Sequence, residues 1–484
     1  MKFESLAGRV QRRLFEAPAA VAEIGPHATR PLTRAWPRRL GLGFDWPWAR
    51  PTREGYALLA IVLIGFGADF PFRGYQPYPL LVIAVGACFA VLSATGSRLQ
   101  AHMLTWSLAA ALGAVTTGVA FGTRPIDFLG PIAAAIGAVL AIASQRTVSR
   151  LLGCVVAGTV TLVVVVKSLT WGHLGLDVFN FSQRASLRLL QGKDPYSVAY
   201  STTTPHLPLA HYPYGPAALL LSIPGRLVGD IRASNLLAVV ALIAAVTILA
   251  SRFGGREQAW RCLAVCLTLP FLPQMLLLAW PEIYLMAAIA LWLVLRDRHR
   301  ISSVVILGVG LATIPTAVPL LALPFLWWRP PRLEILVAVV VAAGISLPFA
   351  IWVGAAHFID YTLWLQVHLQ PRADGLDLDA AFLRLTGSWL PIWVWPAVAA
   401  ITLALVAKAR PHSWPSAFFL GSGFLVIAFL YAKWAFLNYY FLVAMGLILA
   451  MALERHHEGP EVAASGQPTE SGRELLVADG GAGR

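Results

Sequence analysis

From residue 56 to residue 453 the chain alternates long apolar runs with short polar breaks. The runs show no two-residue alternation, and several reach the ~20 residues that a helix needs to cross a hydrocarbon core. They predict spans near 56–72, 78–95, 103–122, 127–145 and 151–169, with further spans continuing to 436–453. Residues 171–216, WGHLGLDVFNFSQRASLRLLQGKDPYSVAYSTTTPHLPLAHYPYGP, interrupt this pattern. Within it Asp177, Asn180, Arg184, Arg188 and Gln191 step by three or four positions, and Val178, Phe181, Ala185 and Leu189 form the matching apolar stripe. An amphipathic helix follows, with Asp177 at its start and Gly192 and Pro195 ending it.

Composition narrows the class. The 484 residues are 58% hydrophobic and only 13% charged, with a mean hydropathy of +0.68, too little charge to cover the surface of a soluble protein of this length. The expected fold is all-α, a polytopic transmembrane helix bundle. The net charge of +13 would suggest nucleic acid in a soluble chain. In a membrane chain it places basic ends against anionic lipid, so membrane lipids are expected as partners and nucleic acid is not. Cys88, Cys154, Cys262 and Cys266 all lie in apolar runs and read as buried thiols. Cys262 and Cys266 share a helix face without His or acidic company, so no metal or other cofactor is expected. Residues 1–53 form a basic segment, 54–149 a first group of spans, 150–453 the main membrane region and 454–484 a polar, Gly-rich tail.

Charge sets the expected direction of threading. The basic start lies in the cytoplasm by the positive-inside rule, which leaves Arg98, Arg146 and Arg150 inside and delivers 171–216 to the outside. Threading backwards from ERHH puts 431–434 and 354–388 outside, and 407–413, 327–332, 296–300 and 251–261 inside. The two threadings agree if 215–230 dips in and returns, and if 301–328 forms two short helices broken at Pro315, for about 14 crossings in all. The expected location is the plasma membrane, multi-pass.

Candidate chemistry gathers on the expected outer side. Glu282 begins a span, where a carboxylate is costly and therefore a functional candidate. Lys433, Asn438 and Tyr439 lie in YAKWAFLNYY at another outer rim. Lys167, Lys193 and Lys433, three of the five lysines, fall on the side where positive charge is normally sparse. They suit either snorkelling anchors or an anion handled on that face. Asp177 suits either an N-cap or a reactive carboxylate. The loop with His357, Asp360, His368, Arg372, Asp374, Asp377 and Asp379 contains DGLDLD, which lacks EF-hand spacing and reads as a solvated loop or helix cap. No P-loop, GxSxG, HExxH or zinc signature occurs.

Together, the Asp after a span, RASLRLLQGKDPYS and HYPYGPAALLLSIPG resemble the first outer loop of GT-C-type integral membrane glycosyltransferases. The nearest pattern is glycosyltransferase family 87 and the polyprenyl-phosphomannose-dependent mannosyltransferases of actinobacteria. The similarity spans roughly 150–453. It implies a hexosyltransferase with Asp177 as general base, a polyprenyl-phosphate sugar donor and a glycolipid or glycan acceptor of the cell envelope. Mannose is the implied sugar, and the active site faces the extracytoplasmic side. Such enzymes often carry a lysine where two short helices meet, and here Ile314, Pro315 and Thr316 stand instead.

In that chemistry an acceptor hydroxyl attacks the anomeric carbon with inversion and loses its proton to a carboxylate. The departing phosphate needs a cation, for which Lys433 is the first candidate, followed by Lys193, Arg184 and Arg188. Glu282 is the second catalytic candidate. Tyr196, His211, Tyr212, Tyr214, Trp280, Asn438 and Tyr439 are candidates for binding sugar or acceptor, although an interfacial aromatic belt accounts for many such rings. Two other functions fit the pattern: a transporter or flippase of lipid-linked sugars, and a catalytically silent scaffold in envelope assembly. A transporter should carry ionisable groups deep in several spans, and few are present; no internal repeat is visible either.

Overall fold

The computed structural model describes residues 52–69, 77–96, 101–121, 129–170, 177–201, 209–314, 332–364, 375–391, 413–432 and 435–455, with scattered positions between 393 and 411. All of these belong to one unit, Pro51–Arg484. Among them the chain is all-α. Its first helices are α1 (Arg53–Asp69), α2 (Pro77–Ser93), α3 (Met103–Phe121), α4 (Leu129–Ala143), α5 (Thr147–Thr170) and α6 (Asp177–Leu190). A two-residue antiparallel ladder, Tyr200–Ser201 on Leu209–Ala210, precedes α7 (Pro216–Leu227), α8 (Arg232–Leu267), α9 (Phe271–Leu277), α10 (Glu282–Leu295) and α11 (Arg300–Leu311). Next come α12 (Arg332–Val353), α13 (Ala355–Ile359), a π-helical turn (Asp360–Trp364), α14 (Leu378–Thr386), α15 (Trp414–Leu430) and α16 (Leu437–Leu453).

Among the described residues three helices, within α5, α8 and α12, are long and apolar enough to cross a membrane, and α9 with α10 makes a fourth apolar unit bent by 117°. Shorter apolar helices pack among them. Only 28% of the apolar window of α5 and 17% of that of α12 is buried within the protein. Leu151, Val155, Leu336, Val340 and Ile351 are exposed, an apolar surface that water would not tolerate and lipid would. These features suggest a multi-pass membrane protein. At the other extreme, α16 is buried along nearly its whole length and is packed by α1, α8, α10 and α15. The apolar helices form because a backbone in lipid must satisfy its hydrogen bonds internally.

The described polar contacts between helices fall into two groups at opposite ends of the bundle. At one end, Arg150 and Glu257 pair through two hydrogen bonds of 2.6 and 2.8 Å, and Arg252 donates to Val294 O at 2.7 Å. The same end holds two buried acids that no sequence signal had singled out. Glu54 accepts from Ala101 N at 2.7 Å, Gln258 Nε2 at 2.8 Å and Trp106 Nε1 at 3.4 Å. Glu334 accepts from Trp292 Nε1 at 3.0 Å, Arg296 Nε at 2.8 Å and Arg300 Nη2 at 3.2 Å. The opposite end gathers α6, α7, α13, α14 and the starts of α8, α10 and α16.

Residues 251–261, threaded to the inside by their charge, are helical. Helix α8 runs through them across a kink at Gly255, whose φ of 79° and ψ of −175° lie in a region that only glycine occupies easily. The kink turns the chain at the end where Arg150 binds Glu257. Helix α7, with 12 residues, is too short to cross at ~1.5 Å rise per residue. Its start is held by Gly215 N donating to Thr313 O at 2.8 Å, and its last turn by Gly225 N donating to Ser234 Oγ at 2.7 Å. Both partners lie at helix ends, so these bonds fix α7 at one end of the bundle. Pro315, the expected break after α11, lies outside the described residues.

Candidate functional site

The site is built from helix starts. Helix α10 opens with Glu282 after a sharp turn in which Ala279 takes a positive φ of 54°. Trp280 in this turn is held by Asn235 of α8, whose Nδ2 donates to Trp280 O at 3.1 Å. Tyr284 Oη in turn donates to Asn235 Oδ1 at 2.6 Å. The turn preceding α10 is thereby clamped to the first turn of α8, and Glu282 is directed at α16.

There it meets Asn438, whose Nδ2 donates to Glu282 Oε1. Both side chains are buried, at 1% and 5% exposure. Their remaining oxygens, Glu282 Oε2 and Asn438 Oδ1, are buried without a hydrogen-bond partner. No described cation pairs with the carboxylate. Leaving a buried acceptor unmade costs about 1–3 kcal/mol, and this pair holds two such acceptors side by side.

The start of α16 is fixed by the chain that precedes α14. Leu376 N donates to Ala435 O at 2.7 Å, and Tyr440 Oη donates to Leu376 O at 2.6 Å. Asp377 caps α14 by accepting from Ala380 N at 2.8 Å and also accepts from Ala435 N at 3.1 Å. The expectation of a helix cap fits this residue, but that of solvation does not: Asp377 is 0% exposed, because the loop lies against α16. Burial pushes its carboxyl up to about 7, against the opposing hydrogen bonds from Ala380 and Ala435. Asp379 accepts from Leu390 N at 2.8 Å.

Helix α6 is tied to this end through Gln183, which donates to Gly229 O at 2.9 Å and accepts from Ile231 N at 3.2 Å. Asp177 is the first residue of α6, and its side chain lies outside what is described, as does all of Lys433. Phe181 and Ala185 are buried as the apolar stripe requires, but so are Ser182 and Ser186. Arg184 and Lys193 are exposed, whereas Arg188 donates to Asp194 O at 2.9 Å and so stabilises the turn that ends the helix. That turn passes through Gly192 at φ 66°.

The tyrosines that follow are core residues. Tyr196 is 0% exposed, donates to Tyr214 O at 2.9 Å and packs edge-on against Tyr212, Phe349 and Phe358. Tyr212 is 1% exposed and meets Tyr214 edge-on. Burial raises the hydroxyl pKa of Tyr196 and Tyr212 and pushes that of Tyr200 up to about 12. Closed in on several sides, Tyr196 and Tyr212 offer no open face for a sugar; they fold the loop down onto α12 and α13. His211 bonds through Nδ1 to Tyr196 O at 2.9 Å and stacks on Tyr361 with ring centroids 3.9 Å apart. Tyr439 packs on Phe429 beside Asn438. His357 and Asp360 are exposed, and His368, Arg372 and Asp374 lie outside the described residues.

The structure thus brings Glu282, Asn438 and Trp280 together, with Tyr439 adjacent, and ties α6 to the same end. Asn235 and Tyr284, which complete the support, were not among the candidates. Their signal was an Asn and a Tyr in the first turns of apolar helices. Among the described residues no group of three or more His, Cys, Asp or Glu could hold a metal ion. Compared with known proteins, the chain matches no protein-family model, no curated protein and no solved structure.

Proposed function

We propose that this chain is an integral-membrane glycosyltransferase of GT-C type with about 14 crossings, moving a sugar from a polyprenyl-phosphate donor to an envelope glycolipid or glycan on the extracytoplasmic face. The observation that carries the reading is that α6, opened by Asp177, and the buried Glu282–Asn438 pair meet at one end of the bundle, joined through Gln183, the α7–α8 turn and Asn235. An enzyme acting on a lipid-borne sugar needs such an arrangement at the membrane edge: a carboxylate for the acceptor, cations for the phosphate and a rigid frame for both.

The reaction is a single displacement. The acceptor hydroxyl oxygen bonds to the anomeric carbon while the bond from that carbon to the phosphate oxygen breaks. The bonding electrons leave with the polyprenyl phosphate, and the hydroxyl proton passes to Asp177. Lys433, just before α16, neutralises the leaving phosphate, with Lys193, Arg184 and Arg188 near α6 as further cations. Glu282 and Asn438 hold sugar. Mannose comes from the resemblance alone.

Mass spectrometry of lipid-linked glycans from a strain lacking the protein tests the proposal. Loss of one sugar residue from an envelope glycan supports transfer. Complete glycans accumulating on the cytoplasmic side indicate transport instead, and an unchanged glycan profile indicates a scaffold.

A further inference from the structure

The atoms left over at the Glu282–Asn438 pair define what can join it. Asn438 uses an amide N–H on the carboxylate. Turning the amide over would set Oδ1 against Oε1, two acceptors face to face, so the chemistry fixes its orientation. What remains is Glu282 Oε2 and Asn438 Oδ1, both acceptors, both buried and both without a partner. Asn235 and Tyr284 satisfy each other and Trp280 O, so they supply no spare donor. Among the described residues no side chain donates to either oxygen, so a partner here must bring hydrogen-bond donors.

This requirement excludes most classes. A phosphate or carboxylate presents acceptors and negative charge to a carboxylate. A hard cation wants six or more oxygens, and no group of three or more His, Cys, Asp or Glu stands here among the described residues. Two hydroxyls on adjacent carbons of a sugar ring present two donors side by side, without a net charge to desolvate. We infer that Glu282 and Asn438 recognise a vicinal diol of a sugar, each spare oxygen accepting one hydroxyl. This rests on the reading of the chain as a sugar transferase, and it separates the two ends of the substrate: Glu282 and Asn438 read the ring, and the cations take the phosphate.

The diol can belong to the donor sugar or to the acceptor. The experiment uses purified full-length protein in nanodiscs and measures affinity for two probe sets. One is a short-chain prenyl-phosphate mannose with its monodeoxy analogues. The other comprises the methyl glycosides of glucose, mannose and galactose with theirs. Wild type should bind one parent sugar and lose about 10- to 100-fold for the two deoxy positions that form the diol, the scale of a hydrogen bond to a charged group. The set that shows this names the source. Glu282→Gln should weaken the parent, and the analogue lacking the hydroxyl read by Asn438, by a similar factor and leave the analogue lacking the hydroxyl read by Glu282 little changed, a coupling that a purely structural role would not produce. Exchanging the pair, Glu282→Gln with Asn438→Asp, keeps one amide donor facing one carboxylate oxygen and again leaves two spare acceptors, so selectivity should return.

Equal binding of all monodeoxy analogues by wild type overturns the inference without recourse to any variant. Binding of no sugar in either set overturns it too, as does a preference for amines or for sodium over hydroxyls. Diol-selective binding in a protein that transfers no sugar would retain the site and remove the transferase reading. Transfer without diol selectivity would do the reverse.

Discussion

The carboxylate of Asp377 accepts a hydrogen bond from the backbone N–H of Ala435, 58 residues further along the chain, at 3.1 Å. The same carboxylate caps α14, so one side chain fastens a loop helix to the start of α16 and helps set the position of Asn438. Burial raises its pKa from 3.8 to about 7. The folded protein therefore favours the protonated form, and the stability this group contributes is full below about 4 and lost as pH rises through about 7. Thermal melting of the purified protein should show a fall in Tm between about pH 4 and pH 7 that levels off above it. Asp377→Asn, which cannot ionise, should flatten that fall while leaving a cap on Ala380. An identical pH profile in the variant would assign the fall to another group.

At the other end of the bundle, Glu334 joins α12 to α10 and α11. Its side chain is 2% exposed, that of Arg296 19% and that of Arg300 42%. Arg296 also lies over the Trp414 ring, 4.7 Å from its centroid, which extends the link to α15. Breaking a buried pair by removing one partner costs about 3–5 kcal/mol, and exposed pairs are worth about 0–1 kcal/mol. Glu334→Gln and Arg296→Gln should each lower Tm strongly, and Arg300→Gln only slightly. Equal losses at Arg296 and Arg300 would show that Glu334 does not discriminate between them.

The apolar helices were legible because lipid leaves a chain few other options: a long apolar run must be helical. The polar ends of spans were legible for the same reason, so Glu282 and Asn438 stood out singly. Their pairing across 156 residues was not, because it depends on which helix starts pack together. Glu54 and Glu334 went unnoticed because each stands one or two residues from an Arg in a helical first turn and resembles surface charge until the neighbouring helices close over it. Tyr196 and Tyr212 were read as sugar platforms from their place in a loop that the structure turns inward. Charge alone marked SRFGGREQAWR as an inner segment, and nothing in it announced that Gly255 is a kink within helical chain.

Asp177→Asn tests the proposed base. The substitution keeps an oxygen able to cap α6 but removes the proton acceptor, so the protein should fold while transfer falls by about 100-fold or more. The measurement is transfer from a synthetic polyprenyl-phosphate sugar at equal protein concentration, with Tm as the control for folding. A normal Tm with near-normal transfer would leave Asp177 as a cap only. Lys433→Gln should cost the same assay about 10- to 100-fold if that side chain holds the leaving phosphate, and Lys433→Arg should retain part of the activity.

The orientation of the whole arrangement can be checked at two exposed positions. Ser197 follows the turn at the end of α6, and Ser251 precedes the kink in α8; the two positions lie at opposite ends of the bundle. Gly255 itself is unsuitable for substitution because of its φ of 79°. Basic residues crowd the Ser251 end, including Arg146, Arg150, Arg252, Arg256, Arg296 and Arg300, and positive charge is retained on the cytoplasmic side. In a chain stripped of its native cysteines, Ser197→Cys should react with a membrane-impermeant maleimide in intact spheroplasts. Ser251→Cys should react only after the membrane is opened. The reverse pattern would place Glu282 and Asn438 on the cytoplasmic side, where nucleotide sugars are available, and would remove the reason to expect a polyprenyl-phosphate donor.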